Sequence, residues 1–175
     1  MRKLTTAELN RPTIEEYGQR HKLPIIVVLD NIRSHNNTGS VFRTADAFLI
    51  SEIYLCGITA CPPHRDIHKT ALGAEDSVRW HYFATTADAC RHLKELGYKI
   101  LAVEQTEGST MLQDFTFEEK TAIVMGNEVD GVSDDAIALC DGAIELPQSG
   151  TKHSLNVSVC AGIVMWKAYE NLFLH

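Results

Sequence analysis

In the stretch NIRSHNNTGSVFRTADAF (31–48), Asn37, Gly39 and Arg43 are spaced N-x-G-x-x-x-R. If a helix starts near Thr38–Ser40, Arg43 lies about one turn in, where its planar fork of donors can bind a phosphate or orient a hydroxyl. The alternative is a capped helix with a solvent-facing arginine, and spacing alone leaves the two level. In MGNEVDGV (125–132), Gly126 and Gly131 permit close backbone approach around Asn127 and Glu128. This is neither a dinucleotide fingerprint nor a Walker loop, and alone it also fits a plain Gly-bounded turn. In IELPQSGTKHSLNVSV (144–159), Pro147 ends a strand, Gly150 allows a bend and Ser154 suits a helix N-cap. The free amides of a helix start can hold polar ligand atoms. Asn156 and Ser158 lie within an apolar run, so when buried they need partners, either a ligand or the backbone of neighbouring loops.

Each of these stretches follows a run that reads as a strand. PIIVVLD (24–30) is apolar enough for a strand buried on both faces. Further strands are expected at 52–58, 78–84, 98–105, 121–126 and 142–147, with helices at 40–48, 86–96, 134–139 and 154–172. Thr13 to Glu16, after Pro12, fits a capping box, so residues 1–23 are read as a short helical extension. Gly97 suits the end of the helix before it. Strands alternating with helices indicate one α/β domain over residues 1–175, a mainly parallel sheet flanked by helices. Ligands in such sheets bind at the carboxyl ends of strands, where the three polar stretches lie.

Composition narrows the function. The net charge of −7 argues against coating nucleic acid non-specifically, although a local basic patch remains open. No apolar stretch approaches the ~20 uncharged residues a membrane span needs, and the N-terminus has no secretory core, which together read as cytoplasmic. Cys56, Cys61, Cys90, Cys140 and Cys160 are odd in number and contain no C-x-x-C pair, so reduced thiols are expected.

Taken in order, N-x-G-x-x-x-R-T-A, G-N-E-x-x-G and P-x-x-G-x-x-x-S-L-N-V-S resemble the three signature motifs of the SpoU (TrmH) family of RNA ribose methyltransferases, in the SPOUT class. The resemblance covers about residues 24–170. It implies an α/β fold with a C-terminal deep trefoil knot, an exception to the rule that chains do not knot. It implies S-adenosylmethionine bound in the knotted region at Gly126, Leu146 and Leu155, with Asn127, Ser154 and the loop Glu104, Gln105, Thr106. It implies methyl transfer to a ribose 2′-oxygen, with Arg43 at the centre of the step and Asn37, Glu128, Ser154 and Asn156 shaping the site. Guanidinium keeps its proton at neutral pH, so Arg43 is read as fixing phosphate and hydroxyl, while the proton leaves through phosphate or water.

The family works as homodimers with a shared site. Val157, Ala161, Val164 and Ala168 line one side of the last helix and fit either that interface or ordinary core. RNA contacts are expected at Arg33, Arg43, Arg65 and Lys69, and transfer RNA is the first expectation, with ribosomal RNA next. One departure is Ser34-His35-Asn36-Asn37, where the family commonly carries a proline shortly before its Asn. The 23 residues before the first strand leave no room for an added RNA-binding domain. Cys61, His64 and His68 have spacings that suggest zinc, but Pro62, Pro63 and the lack of a fourth ligand argue against it, so no metal is expected. The rivals are an RNA-binding module of the same fold without catalysis, and a nucleotide-dependent oxidoreductase, which the missing glycine fingerprint disfavours.

Overall fold

The run PIIVVLD becomes β1 (Leu23–Asp30), and in the computed structural model, which describes residues 1–118 and 120–174, it lies in the interior of the sheet. It pairs in parallel with β2 (Ile50–Cys56) on one side and β6 (Thr121–Met125) on the other. Ile25, Val27 and Leu29 join one core cluster, and Ile26 and Val28 join a second. A strand between two cores has no polar face, so its sequence does not alternate.

The complete order is β3 (Arg79–Phe83), β2, β1, β6, β4 (Lys99–Val103), β7 (Gly142–Glu145) and β5 (Thr110–Met111), with every neighbouring pair parallel. One face is covered by α2 (His35–Ala47), α3 (Arg65–Ala71) and α7 (Val157–Phe173), which bury Phe42, Ile67 and Met165. The other carries α5 (Thr86–Glu95) and α6 (Asp134–Ile137), which bury Leu93 and Ala136. Two short helices complete the list, α1 (Ile14–Gln19) and α4 (Ala74–Ser77). At α1 the Thr13 amide donates to Glu16 Oε2 at 2.7 Å and the Glu16 amide to Thr13 Oγ1 at 3.2 Å, the reciprocal capping box expected there. Gly97, after α5, has φ of +78°, which spares it the strain a side chain would meet.

Several boundaries differ from the sequence reading. α2 begins at His35, not near Ser40, because Ser34 Oγ accepts the Asn37 amide at 3.2 Å and extends the helix through a segment read as polar turn. Arg43 is therefore more than two turns in. Gly39, a weak helix former, is tolerated because α3 packs directly on it: a methyl there would sit 2.1 Å from Thr70 Oγ1 and 2.3 Å from the Ile67 carbonyl. α7 begins at Val157 with Asn156 as its cap, so the expected cap at Ser154 is incorrect. The Asn156 side chain accepts the Ser158 amide at 2.9 Å and the Val159 amide at 3.3 Å, while Ser154 lies in the loop before it. α3, within 61–75, is not among the helices expected from the sequence, and β5 is too short for periodicity to reveal.

Candidate active site

Asn37 sits where three strand-end loops meet. Its Nδ2 donates to Glu128 Oε1 at 3.1 Å, and its Oδ1 accepts from Asn156 Nδ2 at 3.2 Å. The first motif is thereby tied to the second and third through one side chain. Glu128 also accepts the backbone amides of Arg33 at 2.9 Å and Ser34 at 3.1 Å. Burial pushes its carboxyl up, but the donors from Arg33, Asn37 and Ser34 together hold it below the usual carboxylate range. With its oxygens so occupied, Glu128 braces the entry to α2. The Asn127 side chain donates to the Asn31 carbonyl and accepts the Val129 amide at 2.8 Å, a further link between the first two loops.

Beside this junction lies a cleft of 710 Å³, within the range of small-molecule and cofactor sites. Its floor includes Val103, Met125 and Ile144, at or near the carboxyl ends of the neighbouring strands β4, β6 and β7. Glu104, Gln105, Thr106, Gly126, Asn127, Leu146, Ser154 and Leu155 all line it, as do Glu128 and Asn156. Some of these serve the walls. Glu104 Oε2 accepts the Val132 amide at 3.0 Å, and Gln105 Nε2 donates to the His153 carbonyl at 2.9 Å, closing the 104–109 loop onto the last one. Gly126 is demanded by backbone approach, since a methyl there would stand 2.3 Å from the Gly131 carbonyl carbon. The sequence reading missed Asp130, Asp134, Glu145 and Cys160, which also line the cleft. The strand-end position of Glu145 was a usable signal; the other three depend on how the loops fold back.

The lining is acidic. It carries Glu104, Glu128, Asp130, Asp134 and Glu145 and, among the described residues, no Lys or Arg. Such a cleft repels phosphate groups and suits a ligand with apolar surface and positive charge. S-adenosylmethionine has an adenine for the apolar floor and a sulfonium and an ammonium for the carboxylates, so the residues present fit it. The same charge is unsuited to the pyrophosphate of a nicotinamide dinucleotide.

Arg43 lies outside this cleft. It is six residues past Asn37, roughly 9 Å along α2 and about 120° around it. It shares the exposed row Asn36, Arg43, Ala47, while Asn37 faces α7. Arg33, Arg65 and Lys69 are likewise exposed, and among the described residues none of these four cations forms an ion pair. Val157, Ala161, Val164 and Ala168, which fitted either a subunit interface or ordinary core, are buried in the core of this one chain. The opposite side of α7 is the exposed one, with Val159 at 54%, Ile163 at 42% and Trp166 at 45%. Cys61, His64 and His68 form no ligand set: His68 Nδ1 is bound to Glu75, and His64 Nδ1 accepts the Asp66 amide at 3.2 Å. Among the described residues no group of His, Cys, Asp and Glu could hold a metal ion. The thiols are free, and burial pushes Cys56 and Cys140 up to about 12. Among the described residues no helix is long and apolar enough to cross a membrane.

Comparison with known proteins agrees with this arrangement. A tRNA (guanosine(18)-2′-O)-methyltransferase of Thermus thermophilus is 33% identical over 164 residues, covering 92% of this chain and 82% of that protein. The crystal structure of the A. aeolicus TrmH/SpoU tRNA modifying enzyme superimposes with a TM-score of 0.81 at 25% identity, over 90% of this chain and 80% of the other. An AdoMet-bound rRNA methyltransferase from Sinorhizobium meliloti gives 0.80 at 26% identity, over 93% and 61%. The model of the SpoU rRNA Methylase family matches residues 24–166, the span that holds the sheet and all three strand-end loops. The chain belongs to the SpoU family of RNA methyltransferases.

Proposed function

We propose that the protein transfers a methyl group from S-adenosylmethionine to a ribose 2′-hydroxyl of RNA, with transfer RNA as first substrate and ribosomal RNA as second, in the cytoplasm. The observation that carries the reading is the meeting of all three motif loops at Asn37, Glu128 and Asn156 on the rim of an acidic, part-apolar cleft. Bound S-adenosylmethionine supplies an activated methyl, and the chain supplies alignment. The floor at Val103, Met125 and Ile144 takes the apolar part, and Leu146 and Leu155 close the sides. Ser154 and the 104–106 loop add polar contacts, and the Asn37–Glu128–Asn156 junction fixes the rim. The reading includes the knot: β7 lies between the successive strands β4 and β5, so the 104–109 connection passes across it.

RNA needs cations that this cleft lacks. Arg43, Arg33, Arg65 and Lys69 supply them outside it, and a second copy of the chain supplies the geometry. α2 and α7 run side by side in the same direction, with Asn37 against Asn156 at their starts and Phe48 5.6 Å from Trp166 further along. The exposed row holding Arg43 thus flanks the apolar row Val159, Ile163, Trp166. A helix apolar on both sides is a buried helix, and a two-fold partner covers the side left open. In that dimer Arg43 of one subunit reaches the ribose and phosphate at the partner's cleft, orienting the hydroxyl for in-line attack while the proton passes to phosphate or water. The rival reading, an RNA-binding module without catalysis, is separated by titrating S-adenosylmethionine and following labelled methyl transfer to total tRNA and rRNA. Cofactor binding with ribose methylation supports the proposal; tight RNA binding with no cofactor affinity rejects it.

A further inference from the structure

A second cleft, of 540 Å³, shares no lining residue with the first. Its walls are Pro62 and Pro63 from the loop after β2, His64, Arg65 and His68 around α3, Glu75 and Asp76 on α4, and Trp80 on β3. Trp80 packs on the core with one part of its ring system and lines the cleft with the rest. Glu75 is built in: its side chain is 8% exposed, Oε1 lies 2.5 Å from His68 Nδ1, and Oε2 accepts the Gly73 amide at 3.0 Å. Asp76 and Arg65 are exposed, and among the described residues neither side chain has a hydrogen-bonding partner.

A chain of contacts links the second cleft to the first. His64 stacks on His35 with ring centres 4.1 Å apart, and His35 follows Ser34, whose amide donates to Glu128 at the rim of the cofactor cleft. His64, His35 and Ser34 thus link the walls of the two clefts. An aromatic floor, proline sides, a carboxylate at one edge and an arginine at the mouth match a splayed-out nucleotide: the base stacks, its N–H groups meet an acceptor, and its phosphate meets a cation. The largely buried Glu75 carboxylate keeps the phosphate outside.

We propose that this cleft takes an unpaired nucleobase flanking the methylated nucleotide, stacked on Trp80, with its exocyclic amine at Asp76 and its phosphate on Arg65. Adenine, cytosine and guanine carry such an amine and uracil does not, so the cleft discriminates against uracil. The inference rests on RNA being the substrate, and its test is separable from methylation.

The chain has two tryptophans, so Trp166→Phe leaves Trp80 as the single emitter. With S-adenosylmethionine present, short unpaired oligomers of A, C, G or U are titrated against this variant. Binding is expected to quench Trp80, with U oligomers about tenfold weaker. Asp76→Asn should remove most of the difference between U and the others, and Arg65→Glu should weaken all four by about tenfold without altering cofactor affinity. No quenching, or wild-type binding in both exposed-residue variants, overturns the proposal. Methyl transfer to folded RNA is followed with the wild-type protein, whose Trp166 is intact: oligomer binding at Trp80 without any wild-type transfer sinks the enzymatic reading alone, and wild-type transfer without Trp80 quenching in the variant sinks this one alone.

Discussion

Arg43 has no carboxylate partner among the described residues and lies on the outer row of α2, so its removal costs the fold little. Arg43→Ala is therefore expected to fold, dimerise and bind S-adenosylmethionine as wild type while losing methylation; turnover within a few-fold of wild type would remove its assigned role. Arg43→Lys keeps the charge but not the fork of donors and should recover little. Glu128 is the opposite case, a side chain whose partners are all inside the protein. Glu128→Gln keeps one acceptor oxygen but turns an NH2 toward either the Arg33 amide or the Ser34 and Asn37 donors, and it should lower stability by about 1–3 kcal/mol and loosen the rim. Its pH dependence has a definite sign. A carboxyl held low in the folded state contributes its full stability above the ordinary carboxylate range and loses it as pH falls through the lowered value. Urea unfolding between pH 6 and pH 3 should show a steeper acid loss in wild type than in Glu128→Gln, and parallel curves would deny the contribution.

Among elements, the α2–α3 contact is the one with the least room. Gly39→Ala would drive a methyl against the Ile67 carbonyl and Thr70 Oγ1, and the backbone carbonyl cannot rotate away. The helices must part, at a cost of about 1–3 kcal/mol. Because α3 carries Arg65 and one wall of the second cleft, RNA affinity should fall along with the melting temperature while cofactor binding persists. An unchanged melting temperature would show that α3 adapts. Shortly ahead of Asn37, where the resemblance leads one to expect a proline, this chain has no proline; Ser34 caps the helix and presents its own amide to Glu128. Stiffness that a proline ring would supply covalently is supplied here by hydrogen bonds. Ser34→Ala removes the cap and should cost about 1 kcal/mol.

At the scale of the whole molecule the question is what covers Val159, Ile163 and Trp166. Trp166→Glu places a charge in the middle of that row and should turn a dimer into a monomer by light scattering, with methylation lost although Trp166 lines neither cleft. Wild-type protein that scatters as a monomer at all working concentrations would remove the shared site. Mixing tests the sharing directly. Arg43→Ala and a cofactor-cleft variant such as Gly126→Val, each inactive, should regain activity when their subunits exchange, since one mixed site then holds an intact cleft and an intact arginine.

The main alternation of strands and helices, α3 and β5 apart, the doubly buried β1 and the capping box at Thr13 are local matters, carried by periodicity and short-range hydrogen bonding, and the sequence alone determines them. So did the type of chemistry, because Asn37, Gly126, Glu128 and Asn156 stand in motifs at strand ends. Helix starts were read less well: α2 begins at His35 because Ser34 caps it, and α7 begins at Val157 because Asn156 caps it. Which apolar side of α7 faces inward is equally invisible to a pattern apolar all round, since only the neighbouring sheet distinguishes Val164 from Ile163. The acidity of the cleft and the exclusion of Arg43 from it were decided by tertiary structure alone. Both depend on which loops fold back over the ends of β4, β6 and β7, and no spacing within one segment encodes a distance to another.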